Sequence, residues 1–381
     1  MTKKSLKALG AVAIVVSLGL AGCSSTSGSG GSPSSSSGAK SYVLGGTLPI
    51  TGEAASIGLE TEAAAELAAS EAEKNGGPKI TFNWQDSQLN NQTAVTALQK
   101  LHDAGVNIVL TGGSGVIVAQ SKVADQNKTT LVNNMAQSPL LNNLSTNLFN
   151  FIPTADEELS TVADMAVKTR GYKKIATLTV DSDLGSGDVT SLTKDVEALG
   201  GKVVASETFP VGATDMRTAL TRLRAVNPQA LYIVGNTDEI GYAIAQAKEL
   251  GLKAQLLGRT QDINPVVLTA AGPAANGMIG AATIFSPSAS NKVGTAFAAA
   301  YLKKTGKAAD VYAAIAYDQT SIVIDALKHV GGSSAAVQKY LKGVKNYPGA
   351  MGSISINSSN TATYGLFKYV VKDGKVVAFT K

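Results

Sequence analysis

The sequence is poor in the residues that carry redox, metal or nucleophilic chemistry. Its 381 residues contain one Cys, two His and one Trp, and aromatic side chains make up only 5%. A single Cys excludes an internal disulfide framework and any cysteine-based zinc or iron–sulfur site. His102 and His329 stand far apart and neither belongs to a metal-ligand motif, so no metal and no cofactor is expected. Acidic residues are missing from one stretch: residues 1–40 contain no Asp or Glu. That local absence matters for the net charge of +5, which suggests an anionic partner at first sight. No Lys/Arg cluster interleaved with aromatics occurs along the chain, so nucleic acid is not expected as a partner.

What the acid-free stretch does contain is ordered like an export signal. Lys3, Lys4 and Lys7 form a positive start, and Ala8 to Gly22 is a run of small and apolar residues too short for a comfortable membrane span. It ends in Leu20-Ala21-Gly22-Cys23, which resembles the lipobox of bacterial lipoproteins. The resemblance implies cleavage after residue 22 and lipidation of Cys23, the only Cys in the chain. An ordinary signal with an incidental Cys and an uncleaved anchor are the alternatives, and the anchor too leaves the remainder outside. Removing three lysines with residues 1–22 leaves 30 basic against 28 acidic residues, or +2. The basic balance is therefore mostly a targeting feature. Ser24 to Gly38 contains only Ser, Thr, Gly and Pro, a composition that buries no core. Residues 23–40 read as a lipidated Cys plus tether, and the 17 residues from Ser24 to Lys40 give a reach of roughly 20–25 Å. Two acyl chains on one Cys suffice for stable anchoring.

From Ser41 the pattern changes. Tyr42 to Leu48 reads as a buried strand, Leu59 to Lys74 as an Ala/Glu-rich helix, and Lys79 to Trp84 as a strand. A helix is expected over Gln92 to Ala104, with Val95, Leu98 and Leu101 on one face. Strand, helix and strand follow at 106–110, 116–126 and 130–132. The alternation restarts at Lys174 to Val180, with helices expected at 191–199, 215–226 and 239–250 and strands at 202–207, 230–234 and 255–257. Helices at 293–304 and 312–330 come next, and Lys372-Asp373-Gly374 marks a C-terminal hairpin. Repeated β-α-β-α order predicts parallel sheets covered by helices, in two lobes.

Several motifs in fixed order carry a family resemblance. They are Leu48-Pro49-Ile50-Thr51-Gly52 with Ile57-Gly58, the acidic turn Gln85-Asp86-Ser87-Gln88, Asp215-Met216-Arg217 running through Leu220 and Leu223 to Asn227-Pro228, and Ala316-Tyr317-Asp318 with Ala326-Leu327. In this order they resemble the extracytoplasmic substrate-binding proteins of branched-chain-amino-acid-type ABC transporters. The resemblance implies an α/β fold of two doubly wound, Rossmann-like lobes joined by three crossovers. The lobe boundaries expected from it are 41–152 plus 286–347, and 153–285 plus 348–381. It also implies a ligand held between the lobes, beyond the carboxyl ends of the strands, as open α/β sheets favour.

The same resemblance suggests site residues. The Gly-rich turn Thr111-Gly112-Gly113-Ser114-Gly115 precedes a helix, where free amides favour an anion. The family binds a ligand carboxylate here, at positions matching Ser114 and Gly115. By itself the turn also suits a simple N-cap. Met135, Ala136 and Gln137 match a head-group segment, with Gln137 where the family has Thr. Leu184 stands where the family has a ligand-facing Tyr, and Ile57 where several members carry Tyr. Thr260 stands where amino-acid binders place a Glu for the ligand ammonium. A neutral Thr cannot supply that charge: either Asp262 does, or the ligand lacks an ammonium and Asp262 is the cap of a helix beginning near Pro265. Asn236 and Thr237 mark a further cleft-facing position, or an ordinary helix cap. Asp181, Asp183 and Gly185 mimic the start of a calcium loop, but Ser186 and Leu192 stand at its sixth and twelfth positions.

The expected function is therefore a monomeric, lipid-anchored solute-binding protein at the outer face of the cytoplasmic membrane. It would deliver an amino acid or a related carboxylate or amide to ABC permease subunits by hinge closure, without enzymatic chemistry. A ligand-sensing surface receptor is the alternative on the same fold. A secreted hydrolase fails locally, because the G-x-S-x-G elbow has Val116 where Gly is needed.

Overall fold

The computed structural model describes residues 40–52, 54–288 and 290–380. The signal, Cys23 and the tether up to residue 39 lie outside them. The first run of elements is β1 (Ser41–Leu48), α1 (Ala55–Lys74), β2 (Lys79–Asp86), α2 (Asn91–Asp103), β3 (Ile108–Thr111), α3 (Ser114–Asn127), β4 (Thr130–Asn133) and β5 (Leu148–Asn150). They form a five-stranded parallel sheet in the order β2-β1-β3-β4-β5. Neighbouring residues on its strands bury into opposite faces. Leu110 and Val132 meet α1, while Val109 and Leu131 meet α2 and α3. Burial on both faces is why these strands read as continuous apolar runs. In α2, Ala94, Ala97, Leu98 and Leu101 are buried, a helical stripe that begins after the Asn90 side chain accepts the Thr93 N–H at 2.9 Å.

The second run is α4 (Asp156–Asp164), β6 (Lys174–Val180), α5 (Asp183–Ala198), β7 (Lys202–Phe209), α6 (Arg217–Ala225), β8 (Ala230–Val234), α7 (Thr237–Glu249), β9 (Gln255–Gly258), α8 (Pro265–Ala271) and β10 (Ile279–Ala282). The parallel order β7-β6-β8-β9-β10 repeats that of the first sheet. Each sheet reverses winding beside its first strand, between β1 and β3 and between β6 and β8. Those switch points leave open crevices at the carboxyl ends of the strands.

The chain then returns through α9 (Lys292–Thr305), α10 (Val311–Val330), α11 (Ser334–Lys342), β11 (Tyr347–Gly349), β12 (Gly352–Ile356) and β13 (Ala362–Thr363) to the first lobe. It crosses a third time into β14 (Phe367–Lys372) and β15 (Lys375–Ala378), an antiparallel hairpin on the edge of the second sheet. The boundary expected at Tyr347/Pro348 is corrected here. Ile354, Ile356 and Ala362 pack into the first-lobe core with Leu341 and Val344, and Asn150 of β5 bridges to Thr361. Alternating Ile residues on a short strand need a buried face, and the first lobe supplies it. The crossing falls between Thr363 and Phe367.

Two of the sequence motifs act as clamps. Asp86 accepts the Ile50 and Gln88 N–H groups at 3.1 and 2.9 Å, which ties the loop after β1 to the end of β2. The buried Asp318 of α10 accepts the Ala350 and Met351 N–H groups at 2.6 and 2.9 Å, which fixes the β11–β12 turn. Among the described residues, no helix is long and apolar enough to cross a membrane.

Candidate ligand-binding cleft

A cavity of about 750 Å³ lies between the lobes, at the carboxyl ends of both parallel sheets. The first lobe contributes Ile57 from the first turn of α1, Asn90 to Gln92 at the start of α2, Gly113 to Val116 at the start of α3, and Met135 to Gln137 after β4. The second contributes Asp181 to Leu184 at the start of α5, Asn236 and Thr237 at the start of α7, and Gln261.

Helix α3 begins at Ser114 after Gly113, whose φ of 92° is in the region that favours glycine, and no side chain caps it. The first three amides of a helix have no intrahelical acceptor. Here they belong to Ser114, Gly115 and Val116, all in the cavity wall. With the buried Ser114 hydroxyl and the helix dipole, they make a cradle for an anion.

The segment after β4 lies in the wall but turns its polar groups inward. Asn133 accepts the Met135 and Ala136 N–H groups at 3.1 and 2.8 Å and donates to the Ala136 carbonyl at 2.8 Å. Ala136 is left to contribute shape. Gln137 accepts from Arg259 Nη1 at 2.8 Å and donates to the Pro153 carbonyl and Glu158 at 3.2 and 3.3 Å. Its amide is committed behind the cleft rather than offered to it.

Thr260 and Asp262 do not line the cavity. Both are 1% exposed, in a single helical turn after β9 from which Gln261 alone reaches the cleft. The Thr260 hydroxyl donates to Glu158 and accepts the Thr283 N–H at 2.7 Å. Asp262 accepts the Arg259 N–H at 2.6 Å, and Asn264 rather than Asp262 caps α8, accepting the Val266 N–H at 2.8 Å. Neither role expected for Asp262 is the one it plays.

Behind this wall lies an ion network that no sequence motif marks. Arg259 is fully buried, with Nε 2.8 Å from Asp188 and 3.0 Å from the Tyr232 hydroxyl. Tyr232 donates to Asp188 at 2.6 Å. Burial pushes the Glu158 and Asp188 carboxyls above the usual carboxylate range, against the pull of Arg259. It pushes Asp262 up to about 7. The partners lie at positions 158, 188, 232, 259 and 262, spacings that carry no local pattern.

The lobes also meet directly. Ser138 Oγ donates to the Asp183 carbonyl at 2.8 Å, and Asn264 Nδ2 donates to Asp310 at 3.2 Å. Asp183 belongs to the first turn of α5, a helix that starts eight residues before the expected Ser191. Leu184, Asn236 and Thr237 lie in the wall, as do four amide side chains not singled out in the sequence: Asn90, Asn91, Gln92 and Gln261. All four follow the carboxyl ends of parallel strands, and that rule applied to every strand would have found them. Among the described residues, no group of His, Cys, Asp and Glu is arranged to hold a metal ion.

Comparison with known proteins bears on this geometry. "Leu/Ile/Val-binding protein homolog 2" of Brucella abortus is 23% identical over 351 residues, 89% of this chain and 93% of the relative. The branched-chain amino acid transporter substrate-binding protein LivJ of Streptococcus pneumoniae, solved with isoleucine, superposes with a TM-score of 0.79. It is 23% identical over 89% of this chain and 98% of its own. A solute-binding protein of an ABC transporter from Rhodopseudomonas palustris, solved with 3,4-dihydroxybenzoic acid, also gives a TM-score of 0.79. It is 25% identical over 89% of this chain and 96% of its own. By name these relatives are binding proteins, two of them of transporters, and not enzymes. The family model for periplasmic binding proteins matches residues 41–375, and the chain belongs to that family of ABC-transporter-type solute-binding proteins.

Proposed function

We propose that the chain is the lipid-anchored solute receptor of an ABC importer, and that it binds an amino acid or a related small carboxylate or amide between its lobes. The observation that carries this reading is the uncapped start of α3, with Ser114 in the wall of a 750 Å³ interlobe cavity. The relatives solved with isoleucine and with 3,4-dihydroxybenzoic acid hold different molecules that share a carboxylate. A helix N-terminus plus a hydroxyl suits that group. Three crossings join the lobes, so a ligand that touches both stabilises the closed arrangement, and the closed form is what permease subunits would recognise. Micromolar affinity needs about 8 kcal/mol, within reach of a few charge-assisted hydrogen bonds in a closed cleft.

The direct test is calorimetric titration of amino acids, amides and small carboxylates into the purified chain. Ser114→Ala is expected to weaken the best ligand about ten-fold, by loss of one hydrogen bond to a charged group. Thermal unfolding without ligand should not change. An unchanged dissociation constant removes Ser114 from the site, and failure of every compound to bind removes the reading.

Anchoring rests on Cys23 and the lipobox-like sequence before it. Expressed in a bacterium that processes lipoproteins, the chain is expected to enter the detergent phase in Triton X-114 partitioning, and Cys23→Ala to move it to the aqueous phase. Wild-type chain found in the aqueous phase would exclude the anchor. A monomer is expected, and size-exclusion chromatography with light scattering tests it.

A further inference from the structure

We infer that the cleft selects ligands with a cationic centre beside the carboxylate, zwitterions rather than simple carboxylates, and that Asp183 does the selecting. The inference rests on the reading that α3 receives a ligand carboxylate. Among the described residues that line the cavity, the ionisable ones are Asp181 and Asp183, and Lys, Arg and His are absent from its wall. The nearest buried cation, Arg259, directs its side chain to Asp188, Tyr232, Gln137 and Gln261. A carboxylate entering the cleft therefore meets amides and hydroxyls but no positive side chain.

Asp183 sits where this matters most. It belongs to the second lobe, yet Oδ2 lies 3.3 Å from the position a Cβ would take on Gly115, in the first turn of α3. Its main chain is held across the cleft by the bond from Ser138. A ligand carboxylate on the α3 amides would thus lie within a few ångströms of a second carboxylate from the opposite lobe. Two like charges at that separation repel strongly in a partly desolvated site. An ammonium or amidinium on the ligand, next to its own carboxylate, turns the repulsion into an ion pair that spans the lobes. Such a ligand is held by α3 on one side and Asp183 on the other. The competing role for Asp183 is to stabilise its own helix, α5, from the first turn. That role predicts a change in stability and none in ligand preference.

The experiment compares each protein amino acid with the carboxylic acid that lacks its amino group and the amine that lacks its carboxylate. L-leucine, 4-methylpentanoate and 3-methylbutylamine form one such trio, and benzoate is included. Each is titrated calorimetrically into the full-length chain at pH 7. The zwitterion is expected to bind at least about ten-fold more tightly than its deaminated partner. In Asp183→Asn that preference should shrink by about ten-fold or more, through weaker zwitterion binding and stronger carboxylate binding. Asp183→Glu, which keeps the charge, should retain it, and it serves as the folded control should the Asn variant be unstable. Deaminated acids binding as tightly as their amino acids, or a preference unchanged in Asp183→Asn, would overturn the inference and leave the solute-binding reading standing. Absence of binding by any member of any trio would remove that reading and the inference with it.

Discussion

Replacing Arg259 with methionine is expected to lower folding stability by about 3–5 kcal/mol, the range seen when one partner of a buried ion pair is removed. The side chain is fully buried, and so is its ion-pair partner Asp188. Glu158 and Asp262 are buried beside them. Methionine fills much of the volume but leaves three carboxyl groups without a cation. Asp188 and the Tyr232 hydroxyl each lose a donor to the substitution, and so does Gln137 on the other lobe.

The loss should depend on pH, with a definite sign. A carboxyl group whose pKa is higher in the folded than in the unfolded state contributes stability below its unfolded value, near 4, and loses it as pH rises through the folded value. Burial already raises Asp188 and Glu158 and puts Asp262 at about 7, with Arg259 pulling each of them down. Without Arg259 the folded values rise further, and a larger uncompensated charge develops with rising pH. Urea denaturation of both proteins should show a gap that is wider at pH 8 than at pH 5.5. Adding Asp188→Asn to the variant should recover part of the loss. A gap equal at the two pH values would mean that Arg259 acts through packing alone.

The network shows where sequence reading stops. The alternation of strands and helices was legible because each strand is buried on both faces and each helix on one, so periodicity carried the information. Ser114 and Gly115 were legible because a glycine-rich turn between strand and helix is a local device. Asp183 lies in a stretch that mimics a calcium loop, ahead of the helix expected from Ser191, and Gly185 and Gly187 weaken the helical pattern there. The fold overrides that propensity, since a Cβ on Gly185 would meet the Val180 carbonyl at 2.0 Å. Residues 348–364 form strands of two to five residues whose partners lie in the first lobe, and nothing within so short a strand names its sheet. Thr260 matched a motif position, but its orientation is set by Glu158, which lies 102 positions before it, and no spacing rule spans that separation.

Gly115→Leu is expected to reduce affinity at least about 100-fold while leaving the unliganded fold as stable as before, or more so. Gly115 lies in the first turn of α3 with ordinary helical backbone, so leucine is compatible there and gains up to about 1 kcal/mol of helix propensity. The space beyond it belongs to the cleft. The first added carbon would already lie 3.0 Å from Asn91 Oδ1 of its own lobe and 3.3 Å from Asp183 Oδ2 of the other. The rest of an isobutyl group must then extend between α3 and α5, over the amides proposed to hold the carboxylate, and push apart the two walls that Ser138 and Asp183 bring together. Occupied volume and hindered closure act in the same direction, whereas Ser114→Ala removes a single donor and leaves the space open. Calorimetry with the tightest wild-type ligand, beside thermal unfolding without ligand, separates the two variants. Ten-fold weaker binding for Ser114→Ala together with loss of measurable binding for Gly115→Leu would place the ligand against the first turn of α3. Wild-type affinity in Gly115→Leu would place it elsewhere in the cavity, toward Asn236 and Gln261, where neither the α3 amides nor Asp183 could reach it.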